Sequence, residues 1–121
     1  MMGNHQIQPF SNLFFADEPL KEWTQNSEIC DDAQRKILEA FGLLNAYGTD
    51  KSYLGKKIEN TKRDGIWELK IKGSSKREWR FLFKHIGGSE YGIVHFFLKK
   101  NEAIKKQDMK KAVRIADREG W

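Results

Sequence analysis

The feature that most constrains this chain is a change of hydrophobic period near residue 65. Upstream, apolar residues recur at helical spacing. Downstream they alternate with polar ones in three runs, residues 66–72, 78–84 and 91–99. Gly73-Ser74-Ser75 separates the first two runs and Gly87-Gly88-Ser89 the next pair. Short Gly/Ser connectors between period-two runs predict hairpins, hence an antiparallel meander.

Strand side chains alternate faces. Trp67, Leu69 and Ile71 therefore share one face, as do Trp79, Phe81 and Phe83, and then Val94, Phe96 and Leu98. These apolar faces must pack on helices. The opposite face is expected to carry Glu68, Lys70 and Lys72, then Arg80, Leu82 and Lys84, then Ile93, His95, Phe97 and Lys99. With strands about 4.8 Å apart, its cations can surround a phosphate, and Phe97 and Leu82 offer apolar surface to a base. The same pattern also describes an ordinary solvated sheet face with long charged side chains.

The helices come from the other period. A short first strand over 12–16 leads into Asp17-Glu18-Pro19, a helix start with an Asp cap, running to about Gln25. Asp31 and Gln34 resemble a capping box for a helix over 33–47, with Ile37, Leu38, Phe41, Leu43 and Leu44 as its apolar stripe and Gly48 as its stop. Residues 49–64 read as a polar loop. Met109, Ala112, Val113 and Ala116 predict a C-terminal helix resting a narrow apolar edge on the sheet or a partner, with Gly120 and Trp121 frayed.

Charge is segregated along the chain. Residues 1–50 hold 3 Lys/Arg against 8 Asp/Glu, and residues 51–121 hold 19 against 9, giving −5 and +10 within a net +5. Such asymmetry suits a surface that meets a polyanion, although a solvated Lys-rich helix also produces it. At 121 residues the chain fits one domain. No apolar run approaches the ~18 residues of a membrane helix. The start lacks the pattern of a signal peptide, and the lone Cys30 cannot form an internal disulfide, so a reducing cytoplasm is expected.

Arg80 and His95 carry the chemical interest. An arginine offers a planar fork of donors to two phosphate oxygens. A histidine titrates near neutrality and can move a proton, although a histidine hydrogen-bonded within a core is the commoner case. His5, His85, His95 and Cys30 show no metal-ligand spacing, so no cofactor is expected. No phosphate-cradling glycine loop and no Ser/His/Asp arrangement stands out.

Taken together, Gly65-Ile66-Trp67-Glu68-Leu69-Lys70-Ile71, Trp79-Arg80-Phe81-Leu82-Phe83, the run from Ile93 to Lys100 and the closing run from Lys105 to Ala112 resemble the phage-derived branch of the RelE/HigB toxin family, over roughly residues 17–118. The resemblance implies an α+β, microbial-RNase-like fold. Two N-terminal helices would pack on a four-stranded, mainly antiparallel sheet, with a C-terminal helix added. It implies a ribosome-dependent endoribonuclease (an mRNA interferase) acting in the ribosomal A site by metal-free attack of the RNA 2′-hydroxyl. It also implies a neutralising antitoxin, usually a helix-turn-helix DNA-binding protein. On this sequence the catalytic set becomes Arg80, His95, Lys99 and Lys70. Lys72, Lys84, Phe97, Lys100, Lys105, Lys106 and Lys110 become RNA contacts. Ile104 stands near the place of a family proline, and no tyrosine matches the one some RelE toxins carry near the C-terminus. The main alternative is a non-catalytic basic module of phage origin that binds nucleic acid or protein. A metal-dependent nuclease is the second, disfavoured by the few acidic residues on the basic face.

Overall fold

The computed structural model describes residues 4–6, 10–26, 29–72, 77–99 and 106–121. The fold is α+β. Six strands form one mixed sheet in the order β1-β2-β6-β5-β4-β3. They are β1 (Asn4–Gln6), β2 (Leu13–Ala16), β3 (Ile58–Arg63), β4 (Ile66–Lys72), β5 (Glu78–Gly87) and β6 (Glu90–Leu98). Every neighbouring pair is antiparallel except β2 and β6, which run parallel. The expected meander is β4-β5-β6. The expected four strands become six because β1 and β3 extend the edges.

β3 falls where a loop was expected. Its pattern explains this: Ile58 alone is buried, and the strand otherwise shows polar side chains along a sheet edge. Asp64-Gly65 closes the β3–β4 hairpin, with Arg63 opposite Ile66 and both turn residues at positive φ (53° and 72°). An Asp-Gly pair suits a tight hairpin because both positions must enter the left-handed region. Two short turns of helix, α3 (Lys51–Leu54) and a 3-10 segment (Gly55–Lys57), lead into that strand.

The long helices form where the helical period predicted. α1 spans Asp17–Gln25 and α2 spans Asp31–Tyr47. The N-cap residues differ from those expected. Ala16 and Cys30 hold the two N-cap positions, with Asp17, Glu18, Asp31 and Asp32 in the first turns, where negative charge meets the positive helix end. Gly48 ends α2 at φ 63°, as expected. Asn45 then ties the end of α2 to the start of β2: Asn12 N–H donates to its Oδ1 at 2.8 Å, and Asn12 Nδ2 to its carbonyl at 3.2 Å.

The sheet is covered on both faces. α1 and α2 cover one, where Phe15, Ile37, Phe41, Leu69, Phe81 and Phe96 form the main core with Trp23 against it. α4 (Lys106–Glu119) covers the other through Met109, Ala112, Ile115 and Ala116, packed on Ala16, Ile66, Leu82 and Val94. The expected open basic face is therefore a second core. Leu82 is fully buried in it.

The expected alternation of β6 also breaks. Leu82 pairs with His95 but Phe83 pairs with Ile93, so Val94 is the extra residue of a bulge. Ile93 consequently joins Phe96 in the main core, while Val94 joins the core beneath α4. The end of the chain is not frayed. Trp121 packs on Gly92, its N–H donates to Ala116 O at 2.9 Å, and its carbonyl oxygen accepts from Lys84 Nζ at 2.9 Å. Among the described residues no helix is long and apolar enough to cross a membrane.

Candidate functional site

β3 begins at Ile58, opposite Leu69, so β4 has no strand partner on that side from Lys70 onward. The gap opens a cleft of about 680 Å³ between α2, the α3 region and the ends of β4, β5 and β6. Lys36, Lys56, Lys57, Lys70, Lys72, Lys99 and Arg80 line it, against the carboxylates Glu39 and Glu78. Glu59 and Glu68, just outside the lining, pair with Lys70 and Arg80, so seven cations stand against four carboxylates and the cavity keeps an excess of positive charge.

Arg80 is its deepest cation, only 6% exposed. Register places it between Lys70 on β4 and Phe97 on β6. Its guanidinium is held on two sides: Nη1 donates to Glu68 Oε2 at 2.7 Å, and Nη2 and Nε donate to Glu78 Oε1 at 2.8 and 3.1 Å. Glu78 also accepts the approach of Lys99, whose Nζ lies 3.8 Å from Oε2, while Lys99 N–H donates to the Glu78 carbonyl at 2.8 Å. Lys70 Nζ donates to Glu59 Oε1 at 2.6 Å, and this bond with its charge holds the Glu59 carboxyl below its ordinary value. Of the cations expected on one open sheet face, Arg80, Lys70, Lys99 and Lys72 share this cavity, which α2 walls.

His95 does not join them. It is 5% exposed and lies beneath α4. Its Nε2–H donates to Asp108 Oδ1 at 2.7 Å, its Nδ1 is buried without a partner, and its ring stacks on Phe97. Burial pushes the imidazole below its ordinary range, opposed by the Asp108 carboxylate. A sealed, neutral histidine cannot reach an RNA hydroxyl, so the expected role of His95 in proton transfer is corrected. The reason is the apolar edge of α4, which needs a partner and takes this face.

Other expected RNA contacts divide. Phe97 is half-buried against the α4 core, not free to receive a base. Lys84 is tied to Trp121. Lys106 and Lys110 are exposed on α4, where they line a separate cleft of about 610 Å³ with Arg63 and Arg114. Lys100 and Lys105 lie outside the described residues. Lys36, Lys56, Lys57 and Glu78 were missed as site residues. The first three come from α2 and from a segment read as loop, and only tertiary packing brings them to β4. Glu78 could have been found, since it shares the strand and face of Arg80, two residues away. Among the described residues no group of three or more His, Cys, Asp or Glu side chains is placed to hold a metal ion.

The structure is thus a small α+β domain whose β4-β5-β6 meander ends in a cavity lined mostly by cations. The profile of the family described as phage derived protein Gp49-like (DUF891) matches residues 27–117, and the chain belongs to that family, which lies within the RelE/HigB-like toxins of toxin–antitoxin systems. No curated protein matches the chain.

Proposed function

We propose that this protein is the toxin of a toxin–antitoxin pair that cuts messenger RNA at the ribosomal A site, with the Lys70–Arg80–Lys99 cavity as its phosphate site. The observation that carries this reading is the gathering of seven cations around one cleft in a member of this family. The reaction is attack of the RNA's own 2′-hydroxyl on the adjacent phosphorus. The 2′-O–P bond forms, the P–O5′ bond breaks, and the products are a 2′,3′-cyclic phosphate and a 5′-hydroxyl.

Arg80 and Lys70 stabilise the charge that gathers on the non-bridging oxygens. Fixed charge of this kind contributes roughly 3 kcal/mol to lowering a barrier. With His95 sealed away, Glu78, which lines the cavity beside Arg80, takes the 2′ proton in this reading, and the Lys99 ammonium donates one to the leaving 5′ oxygen. The exposed Lys106 and Lys110 of α4 meet ribosomal RNA backbone, a contact that salt weakens. The neutralising partner is a cognate antitoxin of helix-turn-helix type.

Translating ribosomes incubated with the purified protein, followed by mapping of RNA 5′ ends, test the proposal. Wild type should cut in the presence of chelator. Lys99→Ala, Lys70→Ala and Glu78→Gln should each cut at least ~100-fold more slowly. Arg80→Lys keeps the charge without the fork, avoids leaving Glu68 alone, and should also slow cutting. Full cutting by all four variants overturns the assignment.

A second reading, a non-catalytic RNA- or protein-binding module, draws on the engagement of Arg80 by Glu68 and Glu78 and on the sealing of His95. Wild type that binds RNA but leaves every message intact would select it.

A further inference from the structure

Tyr47, at the end of α2, and Tyr53, in α3, are the large hydrophobic side chains that stand exposed among the described residues, at 44% and 55%. Their ring centroids are 3.7 Å apart and their planes differ by 4°. Every other aromatic pair described has centroids at least 5.1 Å apart. Aromatic quadrupoles disfavour a direct face-to-face sandwich, so the turns that carry the rings must hold it. Gly48 caps α2 at φ 63°, Asp50 N–H donates to Tyr47 O at 3.4 Å, and the Asp50 side chain caps α3 through Ser52 N–H at 2.8 Å. Each ring gives one face to the other, and both residues remain exposed.

The location specifies that ligand. Leu54, Lys56 and Lys57, directly after Tyr53 in the chain, line the cationic cavity. On α2, Ala40 also lines it, and Tyr47 follows seven residues later on nearly the same helix face. Two helical turns are about 10 Å, roughly three stacked nucleotide steps at ~3.4 Å each. Between 47 and 57 the charged residues are Lys51, Lys56, Lys57 and Asp50, and the Asp50 carboxylate is engaged at the α3 cap. Flat aromatic surface beside a cationic channel matches a ligand with alternating π-faces and negative charge, which is single-stranded nucleic acid.

We propose that the Tyr47–Tyr53 stack is a base platform that receives an unpaired nucleobase of the RNA strand whose phosphate occupies the Lys70–Arg80–Lys99 cavity. This inference rests on the RNA reading above and adds to it the site that grips a base. Stacking rather than hydrogen bonding would make the grip tolerant of base identity.

The test measures fluorescence anisotropy of the full chain with two labelled nine-nucleotide RNAs. Both carry 2′-O-methyl groups to block cleavage, and one is abasic at every position. Wild type should bind the base-carrying RNA more tightly. Tyr47→Leu with Tyr53→Leu, which keeps apolar cover over the turn, should weaken that binding roughly 5- to 100-fold and leave the abasic RNA unaffected. Tyr53→Trp should match or exceed wild type. Equal affinity of wild type for both RNAs, or wild-type binding by the double leucine variant, overturns the platform and leaves the cationic cavity standing. So does a double variant that loses only binding to a protein partner. Failure of wild type to bind either RNA overturns the RNA reading and the platform with it.

Discussion

The two faces of the sheet are built from different materials. The α1/α2 face is apolar and aromatic, with Phe41 stacked near Trp23 and edge-on to Phe81 at 5.2 Å. The α4 face has a thinner apolar stripe, Met109, Ala112, Ile115 and Ala116, and it shares its area with Glu68, Arg80 and His95, the buried polar and charged side chains among the described residues. One face supplies cohesion. The other holds ionisable groups in place by pairing each with a partner, and from it Arg80 reaches the cationic cavity that α2 and the α3 region wall at the strand ends. The contrast teaches that burial has a different meaning on each side: packing on the first, orientation of charge on the second.

The sharpest way to break this comparison is to damage each face alone. Phe41→Ala on the aromatic face should destabilise by about 3–5 kcal/mol, read as a shift of the urea midpoint at unchanged slope, with no change in RNA affinity per folded molecule. On the other face, Glu68→Ala leaves Arg80 half-paired at 6% exposure and should destabilise by about 3 kcal/mol. Glu68→Leu together with Arg80→Met should recover most of that loss, because hydrophobic replacement of a buried pair is often neutral or stabilising. The double variant should nonetheless lose phosphate binding. Wild-type RNA affinity in that folded variant would show that the buried charge orients nothing. Ile115→Val, which thins the α4 contact by one methyl, should destabilise by only about 0.5–1.5 kcal/mol.

This asymmetry also explains what could be read from the chain. The aromatic face was legible because Trp67, Leu69 and Ile71 alternate cleanly with Glu68, Lys70 and Lys72. The bulge in β6 was not, since Ile93 and Val94 are both aliphatic and neither parity leaves a polar residue in the wrong place. The cover over the second face does have a sign in the sequence: Leu82 and Phe97, apolar among the cations, fit surface for a base as well as the landing site of α4 that they are. β3 carries one buried residue in six, too little for a periodic signal, although Asp64-Gly65 marked its hairpin. Of the site, Lys70, Arg80 and Lys99 were legible because strand register alone brings them together. Lys36, Lys56 and Lys57 arrive from elements whose placement depends on how α2 packs, and no local pattern encodes that.

The smallest effect should come from His95, and it sharpens the comparison because it has no counterpart on the aromatic face. Burial lowers the affinity of its imidazole for a proton. The groups around it are Asp108 and Lys111 from α4 and Glu22 from α1, with both carboxylates opposing burial and Lys111 assisting it. A base whose folded-state value is lowered favours folding fully above its ordinary value near 6.5. As pH falls below that value the unfolded chain takes up a proton that the folded chain refuses, so stability declines until the folded histidine also titrates. Carboxylates titrate too, so the informative quantity is the difference between wild type and His95→Asn. Unfolding midpoints taken from pH 7.5 to 5.5 should converge, wild type losing more stability than the variant across that window. Parallel curves would mean that the imidazole is not held neutral beneath α4. The contrast between the faces would then reduce to the Glu68–Arg80–Glu78 cluster alone.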